Sequence, residues 1–370
     1  MRFRAAVLHQ PGRPITIETL EVADLRGDDV LVRIRATSLC HTDLEVVEGQ
    51  LTYPMPIVLG HEAAGTVEAV GPAVGGRLRV GEHVVLSWNP HCGDCFYCQR
   101  DQPILCERYA QLGPKGVHFD GSSRLSLEGR TVHAFFFAAS FAEYSIVSAR
   151  CAVPVPPEIP FDRACLIGCG VMTGVGAATR VARIGYGETA MVIGCGAVGL
   201  SAVQGARLAG AARIVAVDLD EGKLELARRL GATDGVNAQR EEPAAAVKAI
   251  TGGRGADCVL ESAGNARAFR LSVEACRPGG RIVWLGKVGV NEEVAFRWGS
   301  LMGERRIQRS SYGGARPQRD FPLLARSYLE GKLQLDPYLT RRLRLEEINE
   351  GFAALKRGDG IRSVITFDPR

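Results

Sequence analysis

The sequence has no large excess of charge of either sign. Its 370 residues carry 45 Lys and Arg against 41 Asp and Glu, a formal net charge of +4. Neutralising many phosphates takes a concentrated basic field, so no nucleic-acid partner is expected. The run Arg341-Arg342-Leu343-Arg344 reads as a solvated face. No apolar run approaches membrane-spanning length, so no membrane partner is expected. The first eight residues read as a strand, without the apolar region and cleavage site of a secretory signal. There are no internal repeats or low-complexity tracts. Cysteines are an odd number, 11, spread along the chain. Without a secretory signal they argue against a disulfide framework and for metal ligands and buried thiols. A cytoplasmic location is the expectation.

What is present is densest between Cys40 and Glu62. The span opens with Cys40-His41-Thr42-Asp43 and closes with Gly60-His61-Glu62. Thiolate and imidazole are borderline-soft donors that suit zinc. Asp43 and Glu62 are placed to orient ligands or adjust the metal from behind. A catalytic zinc takes three protein ligands and keeps one position open. Cys40 and His61 supply two, and Cys169, in Gly168-Cys169-Gly170, is the candidate third, because ligands need only meet in space.

A second cluster, Cys92, Cys95, Cys98 and Cys106, has two, two and seven intervening residues. Four thiolates at this spacing can fill a tetrahedral shell, which leaves no catalytic position and makes such a site structural. An iron–sulfur cluster also uses four Cys. The Pro that follows the last Cys of a ferredoxin run is absent, and nothing else suggests electron transfer, so zinc is preferred.

At this length two domains are expected. Residues 1–90 read as β-rich, with strands near 30–36 and 65–70, as in a Greek-key or barrel-like half-domain. Residues 111–137 hold five Gly or Pro and read as a long loop. Phe135-Phe136-Phe137 divides between core and pocket wall, and a strand is expected at 141–147. Four Pro between 154 and 160 mark an extended connection, followed by a small-residue helix.

From Thr189 the texture becomes β/α. A short strand runs into Gly194-Cys195-Gly196-Ala197-Val198-Gly199, a helix follows over 200–208, and a second strand ends at Asp218. GxGxxG between strand and helix, with an acid about twenty residues on, is a dinucleotide fingerprint. The glycines let the backbone approach a pyrophosphate at the helix N-terminus. Asp218 can accept from both ribose hydroxyls and would repel a 2′-phosphate, which favours NAD over NADP. A helix over 221–230 and strands near 257–260, 281–285 and 306–308 predict a doubly wound parallel sheet of about six strands. The helix near 320–329 and strand near 363–367 return to the first domain.

A Cys40/His61/Cys169 metal beside a nicotinamide predicts alcohol–carbonyl hydride transfer, with the metal stabilising an alkoxide. Thr42, two residues from a ligand, can take the proton. On these motifs, together with Gly360-Ile361-Arg362-Ser363, the chain resembles the zinc-dependent, medium-chain alcohol dehydrogenases, in their animal-type, class III-like dimeric branch, over essentially its full length.

The resemblance implies an α/β fold. A GroES-like β-rich catalytic domain spans residues 1–170 and 315–370, with a zinc lobe at about 90–108. A Rossmann NAD-binding domain spans 171–314. It implies two zinc ions per chain, catalytic on Cys40, His61 and Cys169, with Glu62 behind, and structural on Cys92, Cys95, Cys98 and Cys106. Asp43 supports His61, and Thr42 begins a proton relay. His41 and Arg362 sit where the family contacts pyrophosphate; Asp218 and Lys223 match ribose positions, and Thr173 lies near the nicotinamide. Gly194, Gly196, Ala197, Val198 and Gly199 form the nucleotide loop. Leu51, Trp88, Phe135 and Phe136 are the expected pocket wall. The long loop implies a homodimer, paired through edge strands of the nucleotide domains.

Two departures stand out. Glu45 occupies the position where the family's relay often ends in His, so either Glu45 is the terminal base or the proton leaves through water. Ala110 replaces the Arg of the class that oxidises the glutathione adduct of formaldehyde, which argues against that substrate. The resulting expectation is reversible hydride transfer between a primary aromatic or medium-chain apolar alcohol and NAD. The alternatives are a nicotinoprotein that retains NAD(H) and a specialised biosynthetic carbonyl reductase.

Overall fold

A computed structural model describes residues 1–367. The chain divides into two compact units, Met1–Cys169 with Arg316–Arg370, and Gly170–Ala315. The first unit opens with β1 (Arg2–Leu8), β2 (Thr16–Val22), β3 (Asp29–Ser38), β4 (Ile57–Val58), β5 (Glu62–Val70), β6 (His83–Leu86), β7 (Leu125–Leu127), β8 (Arg130–Ala134), β9 (Tyr144–Ser148) and β10 (Ala152–Pro154). The second holds β11 (Thr189–Ile193), β12 (Arg213–Asp218), β13 (Asp234–Asn237), β14 (Ala256–Glu261), β15 (Cys276–Trp284) and β16 (Arg306–Arg309). Strands β17 (Leu339–Leu343) and β18 (Arg362–Thr366) belong again to the first.

In the first unit β1-β2-β7-β8-β4 close a barrel, and β10-β6-β5-β3-β18-β17 form a sheet with β9 also paired to β3. The register matters for chemistry. Ser38 at the end of β3 faces Glu62 at the start of β5, and also Val364 of β18. Cys40, His61-Glu62 and Arg362 therefore gather at one end of three neighbouring strands. Val30, Val32, Ile34, Val67, Val84 and Leu86 fill the core beneath. Burying each such side chain stabilises by about 1.5–3 kcal/mol, which fixes the strand ends that carry the site.

In the second unit all five strand pairings are parallel, in the order β13-β12-β11-β14-β15-β16. This is the doubly wound order in which the reversal at the first strand opens a crevice for a dinucleotide.

Two expectations need correction. Residues 111–137 are not one loop: β7 and β8 form a hairpin across Glu128-Gly129, both at positive φ (49° and 75°), and help close the barrel. That two-residue turn matches the right-handed twist of its strands. The helical stretch Phe161–Val181, at 21 residues, is long and apolar enough to cross a membrane by length and composition alone. Its apolar window is 72% buried within the protein, as in a packed core helix.

Candidate functional site

One ligand atom from each of Cys40, His61, Glu62 and Cys169 lies within 4.8 Å of all the others. Cys40 is the N-cap of the helix His41–Val47, and Asp43 sits in that helix's first turn. Asp43 is fully buried. Its Oδ2 accepts from the Cys40 N–H at 3.1 Å, and its Oδ1 accepts from the Gly60 N–H at 3.0 Å. Oδ1 also lies 3.1 Å from His61 Nδ1. One carboxylate thus ties both ligand segments together. With Nδ1 engaged by Asp43, the other ring nitrogen of His61 is turned toward Cys40, and it is the atom that would hold a metal. Gly60 has φ +92°, and a Cβ there would meet Ser140 Oγ at 2.6 Å, so only glycine brings His61 in at this angle. Cys169 lies on the π-helical turn Ile167–Val171, a local widening of the helix.

The electrostatics suit a cation. The Cys40 thiol is held well below its ordinary value by a hydrogen bond from Cys169 and by His61 and Arg362 nearby, and Cys169 is pushed up by the same bond. The two thiols are thus close enough to hydrogen-bond to each other. Burial pushes the Glu62 carboxyl up to about 7, against the pull of Arg362. Glu62 Oε1 takes a 3.0 Å ion pair from Arg362 Nη2, both side chains being buried, while Oε2 has no partner among the described residues. An orphaned carboxylate oxygen beside two thiols and an imidazole is a donor set that zinc fits.

Cys92, Cys95, Cys98 and Cys106 also place their sulfurs within 4.8 Å of one another. Cys106 Sγ accepts from the Cys92 N–H at 3.3 Å, and backbone N–H groups hold the Cys95 thiol down to about 6. Amides aimed at sulfur stabilise thiolates, the form that binds zinc. Every cysteine in the chain is free.

Thr42 and Glu45 are both half-buried and sit three residues apart on the helix His41–Val47, a spacing that puts them on one face. His41 is exposed. Around His61 stands a set of rings. Phe136 is 5.4 Å from His61 and 5.1 Å from Trp88, and its backbone is left-handed at φ 49°. Phe135 has no exposed surface. Its ring lies 4.1 Å from that of Phe136, 4.9 Å from Tyr53 and 5.7 Å from His61, within the core. Leu51 is partly buried against the same core. Tyr53 and Tyr109 were not legible as neighbours of these rings, because nothing in their local sequence marks them. Tyr109 reaches the set through a helix that starts at Cys106, 6.1 Å from Trp88.

In the nucleotide unit the loop after β11 leads into the helix Ala197–Leu208. A Cβ on Gly199 would lie 1.8 Å from the Gly194 carbonyl oxygen, so the helix packs on the strand only with glycine there. Gly196 is exposed, with open space where its Cβ would be. Ala197 is buried and Val198 half-buried. Asp218 ends β12 and braces the loop. Its Oδ2 accepts from the Cys195 N–H at 2.6 Å, and its Oδ1 accepts from the N–H groups of Leu219 and Asp220. A carboxylate has about four acceptor sites, so these three bonds leave about one, fewer than the two expected for both ribose hydroxyls. Asp220 caps the next helix, accepting from Gly222 and Lys223. Thr173 is half-buried in the helix Met172–Gly176.

Comparison with known proteins agrees with this chemistry. Residues 26–157 match the alcohol dehydrogenase GroES-like domain, and residues 197–329 match the zinc-binding dehydrogenase domain. An S-(hydroxymethyl)glutathione dehydrogenase of Synechocystis is 35% identical, covering 99% of this chain and all of its own. A class-3 alcohol dehydrogenase of Myxine glutinosa is 36% identical over 98% of this chain and 97% of its own. The crystal structure of benzyl alcohol dehydrogenase from Acinetobacter calcoaceticus superposes with a TM-score of 0.94 at 34% identity, covering both chains fully. The chain therefore belongs to the zinc-dependent medium-chain alcohol dehydrogenases, oxidoreductases that use zinc and NAD.

Proposed function

We propose that the protein oxidises a primary alcohol with an aromatic or medium apolar chain to its aldehyde, reversibly. The observation that carries this is the ring set of Phe136 and Trp88 beside His61. When bound, zinc supplies Lewis acidity toward an alcohol oxygen, and NAD takes the hydride. The chain's own residues do the rest. Cys40, His61 and Cys169 hold the catalytic ion, and Asp43 fixes the His61 tautomer. Glu62 sits behind with Arg362. Thr42 accepts the alcohol proton and passes it to Glu45 or to water. Phe136 and Trp88 exclude water from the apolar part of the substrate.

A second reading has support from the relatives named for S-(hydroxymethyl)glutathione. Against it stands Ala110, a small exposed residue with no charge for a glutathione carboxylate. The deciding measurement is kcat/KM for benzylic, medium-chain and short polar alcohols against formaldehyde plus glutathione. Benzylic or medium-chain alcohols should lead by at least about tenfold, more than 1.36 kcal/mol in barrier. A lead for the glutathione adduct or for short polar alcohols would overturn the proposal.

In the nucleotide unit, Asp218 and Lys223 hold the adenosine ribose, and the loop Gly194–Gly199 cradles the pyrophosphate. Asp218→Gly should cut the preference for NAD over NADP, as a ratio of kcat/KM, by at least about tenfold, because a like charge facing the 2′-phosphate is removed. NAD affinity should fall too, since the brace on Cys195 is lost. An unchanged ratio would remove Asp218 from ribose recognition.

We also propose a homodimer through β16. Its four residues are all exposed and, among the described residues, it pairs on one side only, with β15. An open edge of this kind is a template for a second strand. Sedimentation should give twice the chain mass, and Ile307→Pro, which removes a ladder donor, should give the monomer. A wild-type protein that sediments as a monomer at micromolar concentration would rule this out.

A further inference from the structure

Two polar groups stand among the rings near His61. Asn89 is 5% exposed, and its Nδ2 makes no well-formed hydrogen bond among the described residues. It directly follows Trp88, whose ring lies 6.1 Å from Tyr109 and 5.1 Å from Phe136. The Asn89 amide approaches the Tyr109 hydroxyl closely enough to act as a donor to it, and Tyr109 also lies near Cys169, a metal-binding thiol. Rings thus lead from His61 through Phe136 and Trp88 to Tyr109, and an amide and a phenol stand at the far end.

An amide that served only the fold would be satisfied at this depth, as buried polar groups nearly always are. The amide carries two N–H groups and Tyr109 takes at most one; the other keeps the cost of losing water, and a ligand that supplies an acceptor recovers it. Asn89 Nδ2 can only donate, and Tyr109 Oη can donate or accept. Both groups are neutral near pH 7, since burial raises the phenol well above its ordinary range. The pair therefore suits a neutral oxygen more than an ion.

We infer that Asn89 and Tyr109 form a polar station in the substrate pocket, selecting aromatic alcohols that carry an acceptor oxygen on the ring, such as a hydroxy or alkoxy group, over alkyl-substituted counterparts. This deepens the aromatic-alcohol reading above and rests on it. Sites built to hydrogen-bond a substrate group discriminate against analogues lacking it, because the site's own polar atoms are then stranded.

The test compares hydroxybenzyl and methoxybenzyl alcohols with methylbenzyl alcohols substituted at the same ring position. At one position or more, the oxygen-bearing substrate should show a kcat/KM about tenfold higher, as a neutral hydrogen bond provides. In Asn89→Leu that ratio should approach one. In Tyr109→Phe, which keeps the ring, it should fall part of the way. Should Asn89→Leu fail to fold, Tyr109→Phe carries the test with zinc content as its control. Equal rates for oxygen and methyl substituents at every position would overturn the inference and leave the aromatic reading standing, as would a ratio unmoved by either variant. No turnover of any benzylic alcohol would overturn both.

Discussion

His61→Ala should lower kcat on any alcohol by about 10⁴, and zinc should fall from two ions per chain to one. The size follows from what the site would lose. A bound metal contributes several kcal/mol of charge stabilisation to such a reaction, and each 1.36 kcal/mol is a factor of ten in rate. Without His61 only two thiols and the Glu62 carboxylate remain in the donor cluster. Asp43 would also lose its imidazole partner while keeping the N–H groups of Cys40 and Gly60, so the segments should stay in place and the protein should fold. Asp43→Asn is the graded companion: the ligands stay, the tautomer brace weakens, and a loss of 10–100-fold in activity or metal affinity is expected. Metal analysis of purified protein with steady-state kinetics checks both. Two zinc ions in His61→Ala with kcat within tenfold of wild type would remove His61 from the ligand set.

Residue type and local spacing made both metal clusters legible in advance, since four Cys within fifteen residues have few other uses. The convergence of Cys169 on Cys40 and His61 was open until the fold brought them within 4.8 Å, because sequence distance carries no information about a ligand from another segment. The nucleotide loop was legible through its strand–turn–helix context. What that context hid was the work Asp218 does on the backbone of its own loop. Strand β13, Asp-Gly-Val-Asn, was missed because four largely polar residues carry no period, and its place comes from pairing with β12. The β7–β8 hairpin was read as loop because glycines that mark a tight turn also mark irregular chain. Phe135 and Phe136 are identical neighbours, and nothing in the sequence says that one packs in the core while the other faces Trp88. A left-handed turn at Phe136 and Phe137, with φ of 49° and 57°, makes that division. Asn89 and Tyr109 were invisible for the same reason, since a half-satisfied buried amide is a property of packing.

Cys106→Ser should release the second zinc, expose residues 92–106 to protease and lower Tm by about 10 °C, while the first zinc stays. The lobe has almost nothing else to hold it. Among residues 92–106 only Cys92 and Cys106 are buried, and Phe96 and Leu105 are about half exposed. Burial at roughly 25 cal/mol per Å² cannot order a segment that buries so little. Structural zinc sites of this kind contribute on the order of 10 kcal/mol in isolated peptides. Part of that is local here, and each kcal/mol lost globally moves Tm by about 2–4 °C in a domain of this size. Cys106 is fully buried, its sulfur 3.6 Å from that of Cys92, and it is the N-cap of the helix that carries Tyr109. The effect should therefore reach the substrate: KM for an aromatic alcohol should rise as Tyr109 loses its anchor, with a smaller change in kcat, because Cys40, His61 and Cys169 are untouched. Limited proteolysis, metal content and the KM-against-kcat split read the three consequences separately. A lobe that resists protease after losing its zinc would show that the arginine contacts around it, from Arg150 to the His91 and Cys92 carbonyls and from Arg316 to Asp101, hold the segment without metal.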